Sequence, residues 1–422
     1  MNISPAVAES GGRQDQSVAD TIMRFFAQDA RADPYGLLRQ LREAGPLHRT
    51  PLGVYLVTRY SDCAALLQSS AWSHAAEAAL LHPGVGVHEA ATELPASFLW
   101  MDPPDHTRLR NLVSKAFTVR TVTRLRPRIH ELTGQLVDAA LDAREFDLID
   151  AIAYPLPLTM VCELVGVPAE AHASIRTWAS ALARGFDPDI LLTPRERAER
   201  SAAARDFLAY FRTLIDERRA RPADDLLSAL AAVEDCGDVL TETELLATCV
   251  TLIVAGHETS VNLVGNGLLA LMRDQGTLAQ LRRRPELVPA AVEELLRYEP
   301  PAAMTTRAAT RPMTIAGHDF APGDGVVVLI CSANRDKRAF TEPDRLDVRR
   351  YHNRKSRPTR HLGFSLGIHY CLGAPLALLE MEILLEVILR RVRVLEPLTD
   401  TPPYKPNIVL RGPAALPARF LS

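Results

Sequence analysis

The chain has 422 residues, of which 47% are hydrophobic and 23% are charged, and its formal net charge at pH 7 is −3. This composition is that of a globular protein with a large apolar core, and the near-neutral charge argues against nucleic acid as a partner. No apolar run reaches the length of a membrane span, so we expect no attachment to a membrane.

The chain shows no obvious internal boundary. No linker or repeat divides it, so we expect a single domain over residues 20–422. Residues 1–19 are mostly polar and include Gly11-Gly12, which favours a disordered N-terminal tail. The six cysteines are scattered and form no CxxC pair, as expected in a reducing compartment. We therefore expect a cytoplasmic protein, and a monomer.

The first hundred residues predict little regular structure. Strands are expected at 47–50 and 54–58, followed by a short helix at 61–68. Residues 70–100 show no clear period and are predicted to form a long loop, a kind of segment that is often functional.

From about residue 104 to residue 300 the apolar pattern is helical almost throughout. The chain then changes to short β-rich pieces, an arginine-rich and proline-rich coil at 335–363, and a closing helix at 372–393. The fold class is therefore mainly α with minor β-sheets. The helices are predicted at 104–117, 121–143, 150–165, 170–184, 194–219, 224–234, 241–274 and 285–298, and the strands at 305–308, 313–315 and 326–330.

The helix predicted at 104–117 opens with DPPDHTRLR, residues 102–110. His106 and Arg110 are four residues apart and therefore lie on one helical face, a spacing that suits a carboxylate ligand. By the same reasoning Arg108 is predicted to face solvent.

The longest predicted helix contains AGHETS, residues 255–260, at its centre. Glycine and hydroxyl residues are poor choices for a helix interior, and local rules are most often broken at functional sites. The alternative is a glycine that serves helix packing, with the Thr259 hydroxyl bonded to a backbone carbonyl.

Arg297 and Arg307, further along the sequence, could each be either exposed or buried. Glu294 and Arg297 are three residues apart on a predicted helix and can pair, although an exposed pair of this kind contributes little. Arg307 lies in a predicted strand, where a single charge is usually solvated.

Cys371 lies in FSLGIHYCLG, residues 364–373, directly before the closing helix. Gly367 and Gly373 permit a tight turn, and the N–H groups at the start of the helix favour a thiolate. No second cysteine or histidine stands at zinc-finger spacing, whereas a lone thiolate is a good axial ligand for haem iron. The alternative is a buried structural cysteine.

These four segments, in this order, resemble those of cytochromes P450, and the resemblance covers about residues 20–420. It implies the P450 fold, with a long central helix over haem b. The 364–373 segment resembles the haem-binding loop, which implies that Cys371 is the iron ligand, that Phe364 and Gly373 lie beside the haem, and that His369 contacts a propionate rather than water.

The other three segments carry further implications of the same resemblance. Glu294 and Arg297 match the ExxR pair, which is buried and structural and is joined by a third arginine; our candidate is Arg345. In the central helix, Ala255 lies beside the haem, Thr259 hydrogen-bonds dioxygen or its water, and Glu258 shuttles protons. Three further residues are implied to neutralise the propionates: His106, Arg110 and Arg307.

The resemblance implies a monooxygenase that inserts one oxygen atom from O₂ into an apolar small molecule by hydroxylation or epoxidation. It is most similar to bacterial enzymes that act on polyketide or macrolide secondary metabolites. Electrons would come from NAD(P)H through an external ferredoxin reductase and ferredoxin, docking on the basic run 349–360. The alternatives are a peroxide-dependent or rearranging haem-thiolate enzyme, and a non-catalytic haem binder. Substrate contacts are expected from 72–100, from about 182–194, from Ile253 and Ala255, from 302–306 and from 408–409.

Overall fold

A computed structural model describes residues 5–51, 53–75, 94–235, 237–353 and 358–422, apart from the side chains of residues 5–15 and 234–235. The predicted fold class is confirmed, since helices dominate and the strands form small sheets. The helices are α1 (Pro5–Phe26), α2 (Tyr35–Ala44), α3 (Tyr60–Gln68), α4 (Asp105–Ala116), α5 (Val119–Arg124), α6 (Arg126–Ala143), α7 (Pro155–Val165), α8 (His172–Ala183), α9 (Pro194–Ala220), α10 (Leu226–Ala232), α11 (Glu242–Arg273), α12 (Gln275–Arg283), α13 (Val288–Tyr298), α14 (Ile330–Ala333) and α15 (Ala374–Arg391).

The strands are short and lie mostly at the two ends of the chain. They are β1 (Leu47–Arg49), β2 (Tyr55–Val57), β3 (Trp72–Ser73), β4 (Glu145–Asp147), β5 (Glu234–Asp235), β6 (Asp238–Val239), β7 (Thr305–Ala309), β8 (Met313–Ile315), β9 (His318–Phe320), β10 (Gly325–Val328), β11 (Val394–Pro397) and β12 (Pro417–Leu421).

Most differences from the predicted elements have a local cause. The region predicted as one helix at 121–143 is two helices, α5 and α6, because Pro127 fits only the first turn of a helix. Helix α12 was not predicted, although its N-cap residue Asp274 accepts a hydrogen bond from the backbone N–H of Thr277 at 2.9 Å.

The N-terminal segment also differs from the prediction. The structure has helix α1 from Pro5 onward, where a disordered tail was expected over residues 1–19. Ile22 and Phe25 of this helix are buried against Leu38 and Leu41 of α2. Helix α1 therefore packs against α2 through the apolar residues on one of its faces.

The larger sheet joins strands from the first hundred residues to two strands between residues 305 and 328. Its five strands have the order β1-β2-β10-β7-β3. Strand β7 pairs antiparallel with β3, so that Ala308 is opposite Ser73. The sheet therefore places Arg307 of β7 beside the start of the segment that follows Trp72.

Helix α11 runs through the largest core cluster, and most of its residues are buried. A Cβ atom on Gly265 would lie 2.8 Å from Ile149, and one on Gly267 would lie 2.9 Å from Met381. Small residues on α11 thus let its neighbours pack closely. Among the residues described, no helix combines the length and the apolar character needed to cross a bilayer.

Candidate active site

One cavity of about 650 Å³ collects most of the predicted site residues. His106 and Glu258 do not line it, although the ring of His106 lies 4.5 Å from that of His369, measured between centroids. The predicted residues that line the cavity are Arg110, Ala255, Thr259, Arg307, Phe364, His369, Cys371 and Gly373.

The loop that carries Cys371 is held by its own backbone. The N–H of Cys371 donates to the carbonyl oxygen of Phe364 at 3.0 Å. Gly367 has φ +69°, and a Cβ atom there would lie 2.5 Å from the carbonyl oxygen of Leu67. This is the position where the turn requires glycine.

Ser365 also has a positive φ, of 60°. The left-handed region costs a residue with a Cβ atom about 1–2 kcal/mol, so glycine would be the less strained residue at this position. Hydrogen bonds on both sides of Ser365 fix the path of the loop. The Ser365 N–H donates to the carbonyl oxygen of Leu362 at 2.9 Å, and the Tyr370 N–H donates to that of Gly367 at 3.1 Å.

The Cys371 sulfur lies at the start of α15. Burial raises the pKa of its thiol, and the backbone N–H groups of Gly373 and Ala374 and the Arg110 guanidinium act in the opposite direction. Burial is the larger effect, so the helix start alone does not give the thiolate that the sequence predicted. A metal ion bound to the sulfur would remove the proton.

Basic side chains gather at one end of the cavity. Arg307 is 4% exposed, and burial lowers its pKa to about 10, so that it stays charged at neutral pH. Burial and the nearby Arg307 charge lower the pKa of His369 to about 3. Both ring nitrogens of His106 are buried without a hydrogen-bond partner among the described residues.

This end of the cavity therefore has buried donors and charge. Within the described part of the chain no carboxylate forms an ion pair with Arg110 or Arg307, although the Asp102 charge acts on Arg307 from a longer distance. Buried charges are normally compensated. A dianionic group would compensate these, and the carboxylates of haem are such a group. The thiol, the cations and the cavity together fit haem.

The Glu294–Arg297 pair is buried, as predicted. Both side chains are 0% exposed and form two parallel hydrogen bonds of 2.8 Å. The third arginine is Arg350, whose Nε lies 3.0 Å from Oε2 of Glu294. The prediction of Arg345 is wrong: its side chain is exposed and pairs with Glu342, while its carbonyl oxygen accepts from Arg297 at 3.2 Å.

This ion-pair cluster is connected to the Cys371 loop through Asn334. Arg297 donates to the carbonyl oxygen of Asn334 at 2.8 Å. The side-chain oxygen of Asn334 accepts from the N–H of Leu362, just before the loop, at 2.8 Å. Loss of the cluster would therefore release one end of the loop.

In helix α11 the Thr259 hydroxyl donates to the carbonyl oxygen of Ala255 at 2.5 Å. The hydrogen bond to a helix carbonyl that was considered as the alternative for Thr259 is thus present, and Thr259 also lines the cavity. The hydroxyl oxygen can still accept a hydrogen bond from the cavity.

Glu258 lies in a buried polar network on another side of α11. Its carboxylate accepts from Lys405 at 2.7 Å and from Tyr154 and Ser180 at 3.0 Å each. Burial acts to raise the pKa of Glu258, but the Lys405 ammonium, together with His257 and the Ser180 hydroxyl, outweighs burial, and the pKa is lower than usual. Lys405 also donates to Asn262 at 3.0 Å. No sequence signal joined Lys405 to a residue 147 positions away.

Two other expectations need correction. Arg108 does not simply face solvent, because its guanidinium pairs with Asp238 of β6 at 3.0 Å and with Glu244 of α11. Ile253 is fully buried in the core rather than in the cavity wall, where Thr251 and Leu252 take its place.

Each of the other expected segments contributes some of its described residues to the cavity wall. Residues 76–93 of the predicted loop lie outside the described residues, as do 354–357 of the basic run. Within that run, the Arg350 side chain forms an ion pair with the buried Glu294. The wall residues from the expected segments include His74, Trp100, Phe186, Ile190, Leu191, Ala302, Met304, Thr305, Ile408 and Val409.

Comparisons with known proteins agree on one family. The family model described as Cytochrome P450 matches residues 186–416. Cytochrome P450 monooxygenase PikC of Streptomyces venezuelae is 40% identical over 411 residues, which cover 94% of this chain and 93% of that protein. Mycinamicin IV hydroxylase/epoxidase of Micromonospora griseorubida is 38% identical over 395 residues, which cover 90% and 94%.

Solved structures give the same result. The cytochrome P450 PksS of the bacillaene polyketide synthase of Bacillus subtilis 168 has a TM-score of 0.85 at 35% identity, covering 94% of this chain and 99% of that one. Likeness at this level over nearly the whole chain, around a cavity that fits haem, shows that the chain belongs to the cytochrome P450 family and is a monooxygenase of that class.

Proposed function

We propose that the protein hydroxylates or epoxidises an apolar small molecule of the polyketide or macrolide type. The observation that carries this proposal is a single cavity that brings together the Cys371 thiol, the Thr259 hydroxyl and apolar side chains. The names of its relatives support the substrate class, since one acts on mycinamicin IV and another belongs to a polyketide synthase.

We propose that the haem is haem b and that Cys371 is its iron ligand. When bound, a thiolate-ligated haem supplies the reductive activation of O₂. Arg110, Arg307 and His369 would hold its carboxylates, with the His106 ring packed against that of His369. Phe364 and Gly373 give the loop its shape beside the sulfur.

The α11 residues are assigned to the handling of dioxygen and protons. Ala255 and Gly256 leave room in the cavity wall, and Thr259 presents a hydroxyl to dioxygen or its water. Glu258 lies on another side of the helix, where it is paired with Lys405, and it would supply protons from that buried network. Apolar walls exclude water and so limit wasteful reduction of O₂.

Electrons are proposed to come from NAD(P)H through a ferredoxin reductase and a ferredoxin. The ferredoxin would bring an acidic surface to the basic residues near the Cys371 loop, such as Arg349 and Arg360, because complementary charge speeds encounter. The Arg360 guanidinium lies 4.3 Å from the ring centre of Tyr370, next to Cys371. We further propose that the protein works as a cytoplasmic monomer.

Replacing Thr259 by alanine tests the proposed function. With a surrogate ferredoxin system and a macrolactone that perturbs the Soret absorption, product formed per NAD(P)H should fall about 10- to 100-fold, the effect of losing one hydrogen bond to a charged group. The missing product should appear as hydrogen peroxide, which is measured in the same reaction.

The matched control is Thr248→Ala. Thr248 is on the same helix and makes the same kind of bond, to the carbonyl oxygen of Glu244 at 2.7 Å, but lies outside the cavity wall. Coupling should be unchanged in this variant. Unchanged coupling in Thr259→Ala, with peroxide alone supporting full turnover, would instead favour the peroxide-dependent alternative.

A further inference from the structure

His74 lies at the junction between the large sheet and the segment before α4. It directly follows β3, and its backbone N–H donates to a carboxylate oxygen of Asp102 at 3.1 Å. The hydroxyl of Ser73 donates to the same carboxylate. These two hydrogen bonds to Asp102 fix the backbone at Ser73 and His74, and with it the position from which the His74 ring extends.

The hydrogen bonds of the ring define its tautomer. Nδ1 lies 2.7 Å from the carbonyl oxygen of Leu99, which can only accept, so Nδ1 carries the proton. In a neutral ring Nε2 is then an acceptor. Burial lowers the pKa of His74 well below its usual value, and the Arg307 charge acts in the same direction, so the ring is neutral at physiological pH.

The acceptor Nε2 faces the hydroxyl of Thr305, with Oγ1 3.4 Å away. Thr305 in turn accepts from Nη1 of Arg307 at 3.1 Å. The donor and acceptor roles are consistent along this series of hydrogen bonds: Arg307 donates to Thr305, Thr305 donates to His74, and His74 donates to Leu99.

This chain of bonds matters because Arg307 is buried without a described carboxylate partner. Its hydrogen bonds to described residues both come from Nη1, the second being to the carbonyl oxygen of Thr306 at 2.6 Å. The remaining guanidinium donors are free to meet an anion in the cavity. An aromatic contact with Trp100, at 4.7 Å between centroids, keeps the His74 ring in place.

We propose that His74 is a positioning residue, which orients the Arg307 guanidinium toward the haem carboxylates through the Thr305 hydroxyl. The inference rests on the proposed haem site and adds a residue that none of the four sequence segments contained. It also connects the haem edge to residues 98–100 of the cavity wall through the Leu99 carbonyl.

The test compares His74→Phe and Thr305→Val with wild-type holoenzyme. Phenylalanine keeps a ring against Trp100 but removes both the Nε2 acceptor and the Nδ1 donor to Leu99. Two quantities are measured: the rate of haem transfer to apomyoglobin, and the ferric–ferrous midpoint potential. Each variant should lose haem about 2- to 10-fold faster, the effect of one hydrogen bond, and its potential should become more negative as the cation moves away.

Double variants separate positioning from general stability. His74→Phe with Thr305→Val should behave like either single variant, and His74→Phe should cause no further shift of potential in an Arg307→Met background. Thr305→Ser, which keeps the hydroxyl, should restore wild-type values.

Additive effects, a shift that persists without Arg307, or single variants identical to wild type would overturn the role of His74. If His74→Phe does not fold, the contrast between Thr305→Val and Thr305→Ser decides the question alone. Wild-type protein that takes up no haem would overturn the proposed function as well, and the carbon monoxide spectrum of wild type distinguishes that failure from the others.

Discussion

Replacing Glu294 by glutamine is expected to lower the free energy of unfolding by about 3–5 kcal/mol. The substitution keeps the size of the side chain but leaves Arg297 and Arg350 buried without their counter-charge. Because Arg297 also holds Asn334, the variant should lose haem as well as stability. Urea unfolding of the holoenzyme, followed by circular dichroism and Soret absorbance, measures both.

The chain offers a matched control in its two candidate third arginines. Arg345→Ala removes an exposed side chain, 57% accessible, from a surface pair and should cost about 0–1 kcal/mol. Arg350→Met removes a direct partner of Glu294 and should cost clearly more. If the Arg345 variant were the more damaging of the two, the assignment of Arg350 would be wrong.

The second large effect is expected at Glu258. Glu258→Gln removes the acid but keeps the size of the side chain, and product formation should fall about 100-fold or more, as is typical for loss of a group that transfers protons. The Soret spectrum should remain normal, because Glu258 does not line the cavity. Tyr154→Phe is the control: it removes one bond to Glu258 but leaves the Lys405 ammonium, so a change of only several-fold is expected.

Lys405→Met gives the same network a pH signature. In wild type the lowered pKa of Glu258 means that its stabilising contribution is present above the usual carboxyl pKa and is lost as pH falls through the lower folded value. In the variant, burial raises the pKa instead, so stability should decrease as pH rises between about pH 4 and pH 8. Urea unfolding at several pH values checks this reversal. Unchanged product formation in Glu258→Gln, or a wild-type pH dependence of stability in Lys405→Met, would contradict the roles given to Glu258 and Lys405.

Sequence reasoning worked where the chemistry is local. Glu294 and Arg297 share a helical face, and Cys371 lies between glycines at a helix start, so both could be recognised without knowledge of distant contacts. The helices of the central region were also predicted, because a period of 3.6 residues is a local property. Their boundaries shifted where prolines such as Pro127 restrict the backbone.

What could not be predicted depends on packing between distant segments. Arg345 and Arg350 lie in one coil, and only the folded path decides that the second of them reaches Glu294. Lys405 and Glu258 pair although they are 147 residues apart in the sequence. Ile253 and Leu252 differ by 100° of helical rotation, which is enough to exchange core for cavity wall.

The central claim is that Cys371 binds haem as a thiolate, and one measurement tests it most directly. It is the absorbance difference between dithionite-reduced protein with and without carbon monoxide, recorded for wild type, Cys371→Ala and Cys162→Ala. We predict the strongly red-shifted Soret band of thiolate-ligated haem in wild type and in the Cys162 variant, where a buried cysteine of the core is changed, and its loss in the Cys371 variant. Absence of this band from haem-loaded wild type, or its persistence without Cys371, would contradict the claim.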